Sequence, residues 1–468
     1  MIAIPITAPT VREAAEDIRY AGKTDILELR LDLIEDINDS GLKELLRLTE
    51  NKVIVTDRKQ RRNLIELAIE HEADFIDMDI TMGKDIIREI SGIMKKTRSI
   101  VSYHDFEKTD EKIISTVYEQ ISGLNPHIIK IVSFANSIAD NRVIFDLIAR
   151  ARNDSNRIIA LCMGEKGIIS RILATFLGAE LTFGSLREGR ESAPGQITAE
   201  MLKNLYGVGN LRSPSIFGLV GNPVAHSRGT YVHNRAFREL GLENIYVNFL
   251  VDDLGVFMDK YRDMISGLSV TIPFKQEIMK YVDSVEPDAA KIGAVNTVVK
   301  NGNVLTGCNT DMAGAIDAIK EKQDIAGKNV AIIGAGGAAR AIAYGIIKES
   351  GNLTVINRTV EKAEKLAGEL GCRYGDFDSM DSLKDIDLLI NATSIGMHPD
   401  VDRTPVAREK LKKLAGADCV VFDSVYNPAK TRLLKDAAEL GLETVTGEKM
   451  FLNQAARQFR LFTGREMP

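Results

Sequence analysis

The sequence has few cysteines, and none of them lies near another. The four are Cys162, Cys308, Cys372 and Cys419, and they form no Cys-x-x-Cys pair. Such isolated cysteines argue against a disulfide framework and against a cysteine-based zinc cluster. We therefore expect no structural metal, and we expect a cytoplasmic location.

Long apolar runs and an excess of basic residues are also absent. No apolar run reaches the roughly 18 residues that suggest a membrane span. The first residues, MIAIPITAPTVREAAED, lack the basic start of a signal peptide and predict a β-strand instead. Lys and Arg number 60 against 66 Asp and Glu, a net charge of −6. We therefore expect neither a membrane nor a nucleic acid as partner.

The first half of the 468-residue chain has a regular rhythm of short β-branched runs. These runs are AIPIT from Ala3, ILELRL from Ile26, VIVT from Val53, FIDMDI from Phe75, SIVSY from Ser99, IIKIV from Ile128, IIALCM from Ile158 and LTFG from Leu181. The segments between them have apolar residues at helical spacing. The pattern predicts a (β/α)8 barrel, and a doubly wound open sheet explains the alternation equally well.

Polar residues at the ends of the predicted strands favour the barrel. Glu28, Arg30, Arg58, His104 and Lys130 lie at or just after the C-terminal ends of these runs. Barrel enzymes build their active sites at that end. These side chains are therefore the candidate site of the first half.

Lys130 and His104 could carry chemistry, although each has an ordinary alternative. Lys130 lies in the apolar run HIIKIVSF, where burial would lower its pKa and expose a nucleophilic amine for a Schiff base. A strand-end lysine can instead extend its ammonium to solvent. His104 could move protons near pH 7, or it could have a structural role.

Five segments in order resemble the type I 3-dehydroquinate dehydratases over residues 1–207. They are DILELRLD from Asp25, SYHDF from Ser102, IIKI around Lys130, MGEKGIISR from Met163 and SAPGQI from Ser192. The resemblance implies that Lys130 forms an imine with the substrate ketone and that His104 moves the protons. It further implies a set of side chains that hold the substrate: Glu28, Arg30, Arg58, Arg171, Ser192 and Gln196.

One position departs from that family. The family has R-x-x-x-E-G-G after the third strand, and this chain has Arg58-Lys59-Gln60-Arg61-Arg62-Asn63. The glutamate that orients the histidine in the family is missing at position 62, and Glu66 lies one helical turn further along. We therefore expect a poorly oriented His104 with a lowered pKa and a working but slower dehydratase. Arg62→Glu is then expected to raise the rate, and Glu66→Gln to change it little.

The second half follows a loose Gly, Pro and Ser stretch around residues 207–215. Its most specific motif is GAGGAARA, which follows the apolar strand NVAII and opens a helix, as a dinucleotide-binding turn requires. The next strand, LTVI, ends in Asn357-Arg358-Thr359, where an NAD enzyme would carry an acidic residue. Arginine there favours the 2′-phosphate of NADP, and a surface ion pair is the alternative. The predicted cofactor contacts are Gly334, Gly336, Gly337, Ala338, Asn357, Arg358 and Thr359.

Lys275 and Asp311 could share a proton with a reacting hydroxyl, although a structural salt bridge is the alternative. Residues 216–468 resemble shikimate dehydrogenases in the segments GNPVAHS, VTIPFK, GAVNT, GCNTD, NATSIGM and DSVYNPAKT. The resemblance implies that Lys275 and Asp311 are the catalytic pair. It also implies a set of substrate contacts: Ser227, Thr271, Asn296, Tyr426 and Gln454. The family's HSxSP is here His226-Ser227-Arg228-Gly229-Thr230, so one serine is lost, and replacement by the Thr230 hydroxyl is open.

Together the two resemblances imply an α/β protein with two activities of the shikimate pathway. Its expected parts are a barrel over 1–210, a substrate-binding domain over 216–312 and 446–468, and a Rossmann-type NADP domain over 313–445. The implied substrates are 3-dehydroquinate, 3-dehydroshikimate and shikimate, and formation of a homo-oligomer is left open. The alternatives are a catabolic quinate or shikimate dehydrogenase that uses NAD, and a metabolite-sensing regulator built from degenerate enzyme domains.

Overall fold

The structure is a computed structural model, and it describes all of residues 1–468. The chain divides into two compact units. The first comprises residues 1–218 and 222–265, and the second comprises residues 219–221 and 266–468. None of the helices is long and apolar enough to span a membrane.

The first unit begins with eight parallel strands and the helices between them. The strands are β1 (Ile2–Ile6), β2 (Ile26–Arg30), β3 (Lys52–Thr56), β4 (Phe75–Asp79), β5 (Arg98–His104), β6 (Ile128–Phe134), β7 (Ile158–Met163) and β8 (Thr182–Phe183). The helices are α1 (Val11–Ala21), α2 (Asp39–Arg47), α3 (Arg62–Glu70), α4 (Lys84–Ile93), α5 (Glu111–Ser122), α6 (Asp140–Asn153) and α7 (Ile168–Leu177). Neighbouring strands follow chain order from β1 to β7, and β8 pairs with β1. This order confirms the nearly closed barrel and excludes the open sheet.

Local sequence explains where a barrel helix begins. In α1 the Thr10 hydroxyl accepts a hydrogen bond from the backbone N–H of Glu13 at 3.2 Å, which satisfies one of the free donors of the first turn. Ala14, Ala15 and Ile18 are buried on the inner face of the helix. The helix therefore forms because its capping residue and its apolar stripe agree.

The alternation of side chains along the barrel strands places the candidate site. One interior layer is apolar and consists of Ala3, Ile26, Ile54, Phe75, Ile100, Ile128, Ile159 and Leu181. Successive side chains of a strand point to opposite faces, so residues two positions further share the same face. The next inward layer therefore contains Glu28, Thr56, Asp77, Ser102 and Lys130, all of them buried. An apolar floor thus lies beneath a polar layer near the C-terminal ends of the strands.

The remainder of the first unit packs against the barrel. It comprises the first residues of β9 (Ser215–Gly221), then α8 (Gly229–Glu239), β10 (Asn244–Leu250) and α9 (Leu254–Tyr261). The buried Tyr261 hydroxyl donates to the backbone oxygen of Ile138 at 2.7 Å, and Arg142 pairs with Asp263 at 2.9 Å. Residues 222–265 therefore belong to the same compact unit as the barrel.

The second unit starts with four short strands and two helices. These are β11 (Ile265–Val270), β12 (Ser284–Val285), α10 (Pro287–Ile292), β13 (Thr297–Asn301), β14 (Val304–Cys308) and α11 (Asp311–Lys320). β13 runs antiparallel to both β11 and β14. The predicted strand GLSVTIPF ends earlier than expected, at Val270, because Pro273 has no N–H to donate to a ladder.

The last part of the second unit is a six-stranded parallel sheet. Its strands are β15 (Asn329–Ile333), β16 (Asn352–Ile356), β17 (Arg373–Gly375), β18 (Ile386–Asn391), β19 (Ala415–Asp423) and β20 (Glu443–Val445). The helices are α12 (Gly337–Lys348), α13 (Val360–Leu370), α14 (Arg408–Leu414), α15 (Arg432–Glu439) and α16 (Gly447–Thr463). The order β17-β16-β15-β18-β19-β20 is that of a Rossmann fold, with apolar cores on both faces of the sheet. The predicted Rossmann-type fold is confirmed.

Candidate active sites

A cavity of about 270 Å³ opens at the C-terminal ends of the barrel strands. Its lining includes every side chain that the sequence assigned to the first site: Glu28, Arg30, Arg58, His104, Lys130, Arg171, Ser192 and Gln196. Asp79, which the sequence analysis did not single out, lines it as well. The barrel therefore brings together residues that are up to 168 positions apart, from Glu28 to Gln196.

Lys130 is buried at the centre of this group. Its ammonium Nζ lies 2.7 Å from Asp77 Oδ2 and 3.4 Å from Glu28 Oε1. The same atom lies 4.5 Å from the centroid of the Phe183 ring. The carboxylates and the ring all stabilise a positive charge on Lys130. The side chain thus points into the barrel, and the alternative that it extends to solvent is wrong.

His104 lies between a carboxylate and a guanidinium. Its Nδ1 is 3.4 Å from Asp79 Oδ2, and its Nε2 is 3.2 Å from Nη2 of Arg58. The Nδ1 contact is close enough for an ion pair, but its angle is not that of a hydrogen bond. Burial lowers the pKa of His104, and the neighbouring Asp79 acts in the opposite direction. The expected direction of the pKa shift is therefore found, but its main cause is burial and not the lack of a carboxylate.

The segment with the missing glutamate points away from this cavity. Arg62 is exposed on α3 and pairs with Glu66 at 2.7 Å and with Glu89 at 3.0 Å. Glu66 is thus engaged on the outer surface of the helix, and it is not among the side chains that line the cavity. The carboxylate beside His104 comes instead from Asp79, at the end of the neighbouring strand β4.

The three arginines of the cavity differ in how their charge is compensated. Arg30 donates to both oxygens of Asp32 from one edge of its guanidinium, with Nε at 3.0 Å and Nη2 at 2.7 Å. Arg58 contacts Asp77 and Asp79, each at 3.1 Å. Arg171 is 2% exposed and donates to the backbone oxygen of Pro194 at 3.2 Å, but it has no carboxylate partner. Burial without a countercharge lowers the pKa of Arg171 to about 10, so an anion bound beside it would be strongly favoured.

Ser192 and Gln196 form a small amide-and-hydroxyl group on the same side of the cavity. The Gln196 Oε1 accepts from the backbone N–H of Ser192 at 2.7 Å and from its hydroxyl at 3.2 Å. The Nε2 of Gln196 is buried and has no partner in the chain. A buried donor of this kind is costly unless a ligand or water accepts from it.

The second group of candidates lies in the second unit. Lys275 Nζ and Asp311 Oδ2 are 2.5 Å apart, and the other oxygen of Asp311 accepts from Asn296 Nδ2 at 2.8 Å. Asp311 is the first residue of α11, where a carboxylate is stabilised by the helix dipole. The structure therefore brings together Lys275, Asp311 and Asn296, as predicted.

Gln454 joins this group through Thr310. Its Oε1 accepts from the Thr310 hydroxyl at 3.3 Å and lies 3.5 Å from Asn296 Nδ2. Asn296 in turn accepts from the backbone N–H of Thr310 at 2.8 Å. The ring of Tyr426 stacks on Phe451 of α16 with a centroid separation of 5.0 Å. Thr271 directly follows β11, and its backbone N–H donates to Val220 at 2.9 Å.

The remaining predicted substrate contact, Ser227, belongs to the first unit. Its hydroxyl accepts from the backbone N–H of Gly229 at 3.2 Å. A Cβ atom on Gly229 would lie 3.3 Å from both the Ser227 hydroxyl and the Tyr246 hydroxyl. The position of the lost serine is therefore crowded by a phenol, and Thr230 is buried within α8.

The glycine turn after β15 has the geometry that a dinucleotide-binding turn needs. Gly334 has φ of +120°, and a Cβ there would lie 2.9 Å from the backbone oxygen of Ala392. A Cβ on Gly336 would meet no atom within 4 Å, so its space is open to a ligand. Gly337 and Ala338 begin α12, whose first N–H groups favour an anion. These residues fit a diphosphate.

The end of β16 carries the expected basic residue. Arg358 is exposed, and no contact of its guanidinium is found, so the alternative of a surface ion pair does not hold. Asn357 donates from Nδ2 to the backbone oxygen of Thr359 at 2.8 Å, which shapes the loop around the arginine. The segment thus offers a cation and no carboxylate at the place where a dinucleotide-binding fold contacts the ribose.

Sequence reasoning missed several residues of these sites. Asp77 and Asp79 belong to the run FIDMDI, in which inward and outward positions alternate as in every barrel strand. That alternation, combined with the polar residues of the neighbouring strands, was a usable signal. Thr310 and Gln458 were also missed; Gln458 accepts from the Ser269 hydroxyl at 2.9 Å and donates to the backbone oxygen of Asn296 at 3.1 Å. No sequence signal indicates such contacts between distant elements.

Four families match successive parts of the chain. They are described as type I 3-dehydroquinase over residues 2–211, shikimate dehydrogenase substrate binding domain over 219–298, shikimate / quinate 5-dehydrogenase over 317–423, and shikimate 5'-dehydrogenase C-terminal domain over 447–468. The first match covers the residues that line the barrel cavity, and the second covers Lys275.

Three similar proteins illustrate the range of matches. The chloroplastic bifunctional 3-dehydroquinate dehydratase/shikimate dehydrogenase of Arabidopsis thaliana is 35% identical over 100% of this chain and 83% of its own length. The shikimate dehydrogenase (NADP(+)) of Methanocaldococcus jannaschii is 43% identical over 54% of this chain and 92% of its own. The crystal structure of shikimate 5-dehydrogenase from Thermus thermophilus in complex with NADP(H) and shikimate is 34% identical, with a TM-score of 0.50, over 54% of this chain and 95% of its own.

Proposed function

We propose which side chains perform each reaction of this chain, which belongs to the family of bifunctional 3-dehydroquinate dehydratase/shikimate dehydrogenases. The chain is a shikimate-pathway enzyme that dehydrates 3-dehydroquinate to 3-dehydroshikimate and reduces 3-dehydroshikimate to shikimate with NADPH. The alternative of an NAD-dependent catabolic dehydrogenase is not favoured, because the similar shikimate dehydrogenases of Caldanaerobacter subterraneus and Methanocaldococcus jannaschii are named as NADP(+) enzymes. The alternative of a regulator is not favoured either, since a relative that matches the whole chain is an enzyme.

For the dehydratase, the proposed nucleophile is Lys130, and the observation that carries this proposal is that its buried side chain lines the same cavity as His104 and the uncompensated Arg171. The amine, once it has lost a proton, adds to the substrate ketone, and loss of water gives an imine. His104 takes the proton from the adjacent carbon and returns a proton to the departing hydroxyl, which leaves as water. Hydrolysis of the imine then releases 3-dehydroshikimate and restores the lysine.

The other cavity residues bind the substrate in this proposal. Arg171 is the proposed partner of the substrate carboxylate, because its guanidinium is the one without a compensating carboxylate. Gln196 offers a buried amide donor to a substrate oxygen. The remaining proposed contacts to the hydroxyl groups of the ring are Glu28, Arg30, Arg58 and Ser192.

For the dehydrogenase, the proposed catalytic pair is Lys275 and Asp311. NADPH supplies the hydride for carbonyl reduction when it is bound. Lys275 donates a proton to the oxygen that becomes a hydroxyl, and Asp311, 2.5 Å away, keeps the ammonium oriented. The proposed substrate contacts are Ser227, Thr271, Asn296, Tyr426 and Gln454. The proposed cofactor contacts are Gly334, Gly336, Gly337, Ala338, Asn357, Arg358 and Thr359, with Arg358 at the 2′-phosphate.

The domain bounds predicted from the sequence are also proposed: 1–210, then 216–312 with 446–468, then 313–445. The family matches over 2–211, 219–298, 317–423 and 447–468 support them. A cytoplasmic location, the lack of nucleic-acid and membrane partners, and association into a homo-oligomer stay predictions.

Borohydride trapping tests the proposed nucleophile. When borohydride is added with 3-dehydroquinate, the imine is expected to be reduced, and the tethered ligand adds mass to the peptide that contains Lys130. Lys130→Met is expected to abolish both the adduct and the dehydratase activity. Lys52→Met is the matched control, because Lys52 is an exposed lysine at the opposite end of a barrel strand. An unchanged dehydratase rate in Lys130→Met would contradict the Schiff-base assignment.

A further inference from the structure

Asp79 is the carboxylate nearest to the imidazole of His104. Its Oδ2 lies 3.4 Å from His104 Nδ1 and 3.1 Å from Nη1 of Arg58. Its other oxygen, Oδ1, accepts from the backbone N–H of Thr81 at 3.0 Å and from the Thr81 hydroxyl at 2.7 Å. One oxygen thus anchors the carboxylate to its own strand end, and the other is available to two partners in the cavity.

The surroundings of His104 define which nitrogen can act as a base. Arg58 has only donors, so Nη2 at 3.2 Å from Nε2 requires that this nitrogen present its lone pair. The proton of the neutral ring is then on Nδ1, which faces Asp79. A carboxylate at that nitrogen favours this tautomer, and it favours the imidazolium that forms when Nε2 takes a proton.

The charges around the ring act in both directions: the carboxylates raise the pKa of His104, and the cations lower it. The charged groups that face His104 are Asp79 and Asp77 from β4, Arg58 after β3 and Lys130 from β6. Glu28 adds a third carboxylate through its contact with Lys130. Arg30 and Arg171 line the same cavity, so the charges do not sum to a negative excess. What distinguishes Asp79 is that it is the carboxylate nearest to the ring.

We infer that Asp79 is the positioning residue of His104, in place of the glutamate that the segment after Arg58 lacks. This inference rests on the proposed function of the barrel site. It replaces the expectation of a weakened site: position 62 points away from the cavity, so Arg62→Glu is expected not to raise the dehydratase rate. The carboxylate beside His104 thus comes from the end of β4 and not from the segment after β3.

The test compares Asp79→Asn with Glu66→Gln in the full chain. Asp79→Asn keeps the size of the side chain and an oxygen toward Nδ1, but it removes the charge. We expect the dehydratase kcat to fall about tenfold to a hundredfold, within the range typical of general acid and base assistance, with KM changed less than threefold. The acid limb of the pH profile is expected to move to lower pH, because a positive imidazole loses a neighbouring negative charge. Glu66→Gln is expected to leave all three quantities unchanged.

Borohydride trapping separates this inference from the proposed function. Asp79 does not contact Lys130, whose partners are Asp77 and Glu28, so Asp79→Asn is expected to trap 3-dehydroquinate as wild type does. A wild-type chain that traps no substrate would refute the proposed function itself. If trapping occurs but Asp79→Asn keeps the wild-type kcat and acid limb, or loses trapping as well, the positioning role is refuted. Dehydrogenase activity with 3-dehydroshikimate serves as the control for folding in every variant.

Discussion

Asp423 is a fully buried carboxyl at the end of β19 that the proposed reactions do not use. Its Oδ1 accepts from Asn391 Nδ2 and from the backbone N–H of Val425, both at 3.0 Å, and its Oδ2 accepts from the Thr431 hydroxyl at 2.6 Å. It thereby joins the loop after β18 to the loop that carries Tyr426. Burial raises the pKa of Asp423 to about 6 despite these three donors.

The raised pKa of Asp423 predicts that the free energy of unfolding decreases as pH rises. The folded chain holds the Asp423 proton more tightly than the unfolded chain, so this group stabilises the fold below about pH 4 and stops doing so as pH rises to about 6. A shift from 3.8 to about 6 amounts to on the order of 3 kcal/mol at neutral pH. Asp423→Asn removes the charge and keeps the shape, since the Thr431 hydroxyl can reverse and accept from the new amide.

We expect the melting temperature of Asp423→Asn minus that of wild type to be several degrees higher at pH 7 than at pH 4.5. Asp402→Asn changes an exposed carboxyl of the same unit and is the control, for which no such difference is expected. If the relative melting temperature of Asp423→Asn is the same at both pH values, Asp423 is ionised in the folded state across this range.

Single residues could be predicted from the sequence where a motif fixes their place. Lys130, His104, Lys275 and Asp311 belong to ordered motifs, and the structure brings each of them to a cavity or a partner. What the motifs could not supply is how charges are paired. The contrast between Arg58, with two carboxylates, and Arg171, with none, depends on neighbours from other strands.

At the scale of elements, the start of α12 brings the glycine turn into contact with Lys275, the proposed proton donor. A Cβ on Gly337 would lie 3.1 Å from Cδ and 3.2 Å from Cβ of Lys275, whereas a Cβ on Gly336 would meet no atom within 4 Å. Two neighbouring glycines of one motif therefore have different roles. Gly336 leaves space for a ligand, and Gly337 leaves space for Lys275.

We predict different kinetic defects from substitutions at these two glycines. Gly336→Ala is expected to weaken NADPH binding about tenfold, equivalent to about 1.4 kcal/mol, with kcat for shikimate formation nearly unchanged at saturating NADPH. Gly337→Val is expected to displace Lys275 from Asp311 and to lower kcat at least about tenfold even at saturation. Dehydratase activity is the control for both variants. Identical profiles for the two would contradict the assignment of Gly337 to Lys275.

The sequence predicted the positions of the strands better than the residues at which they end. All eight barrel strands lie where the β-branched runs predict them, because a strand buried on both faces needs a continuous apolar run. The last strand is shorter than LTFG suggests, with only Thr182 and Phe183 paired. The strand at Ile265 ends before its apolar run does, because the local backbone chemistry of Pro273 overrides apolar patterning.

At the scale of the whole molecule, the sequence predicted the kinds of fold, whereas the division into compact units follows from contacts between distant segments. The stretch around residues 207–215 reads as a linker, yet residues 222–265 belong to the same compact unit as the barrel. Contacts such as Tyr261 with Ile138 join segments far apart in the chain, and no local pattern announces them. A linker-like composition therefore marks a change of fold and not the edge of a compact unit.

The assignment of the two reactions to separate residues predicts complementation in a mixture. Every proposed dehydratase residue lies in the first unit, whereas Lys275 and Asp311 lie in the second. Lys130→Met is expected to oxidise no NADPH when given 3-dehydroquinate, but to reduce supplied 3-dehydroshikimate at the wild-type rate. Lys275→Met is expected to convert 3-dehydroquinate and to stop at 3-dehydroshikimate.

An equimolar mixture of these two variants should then oxidise NADPH from 3-dehydroquinate, because the intermediate released by one chain can be reduced by the other. The reaction is expected to begin after a lag during which free 3-dehydroshikimate accumulates, and the lag should shorten as the concentration of the Lys130→Met chain, which consumes this intermediate, is raised. Stopped assays that follow both 3-dehydroshikimate and NADPH measure this directly. If 3-dehydroshikimate accumulates in the mixture and NADPH is not consumed, Lys130 is needed for the reduction as well, and the division of residues between the two reactions is wrong.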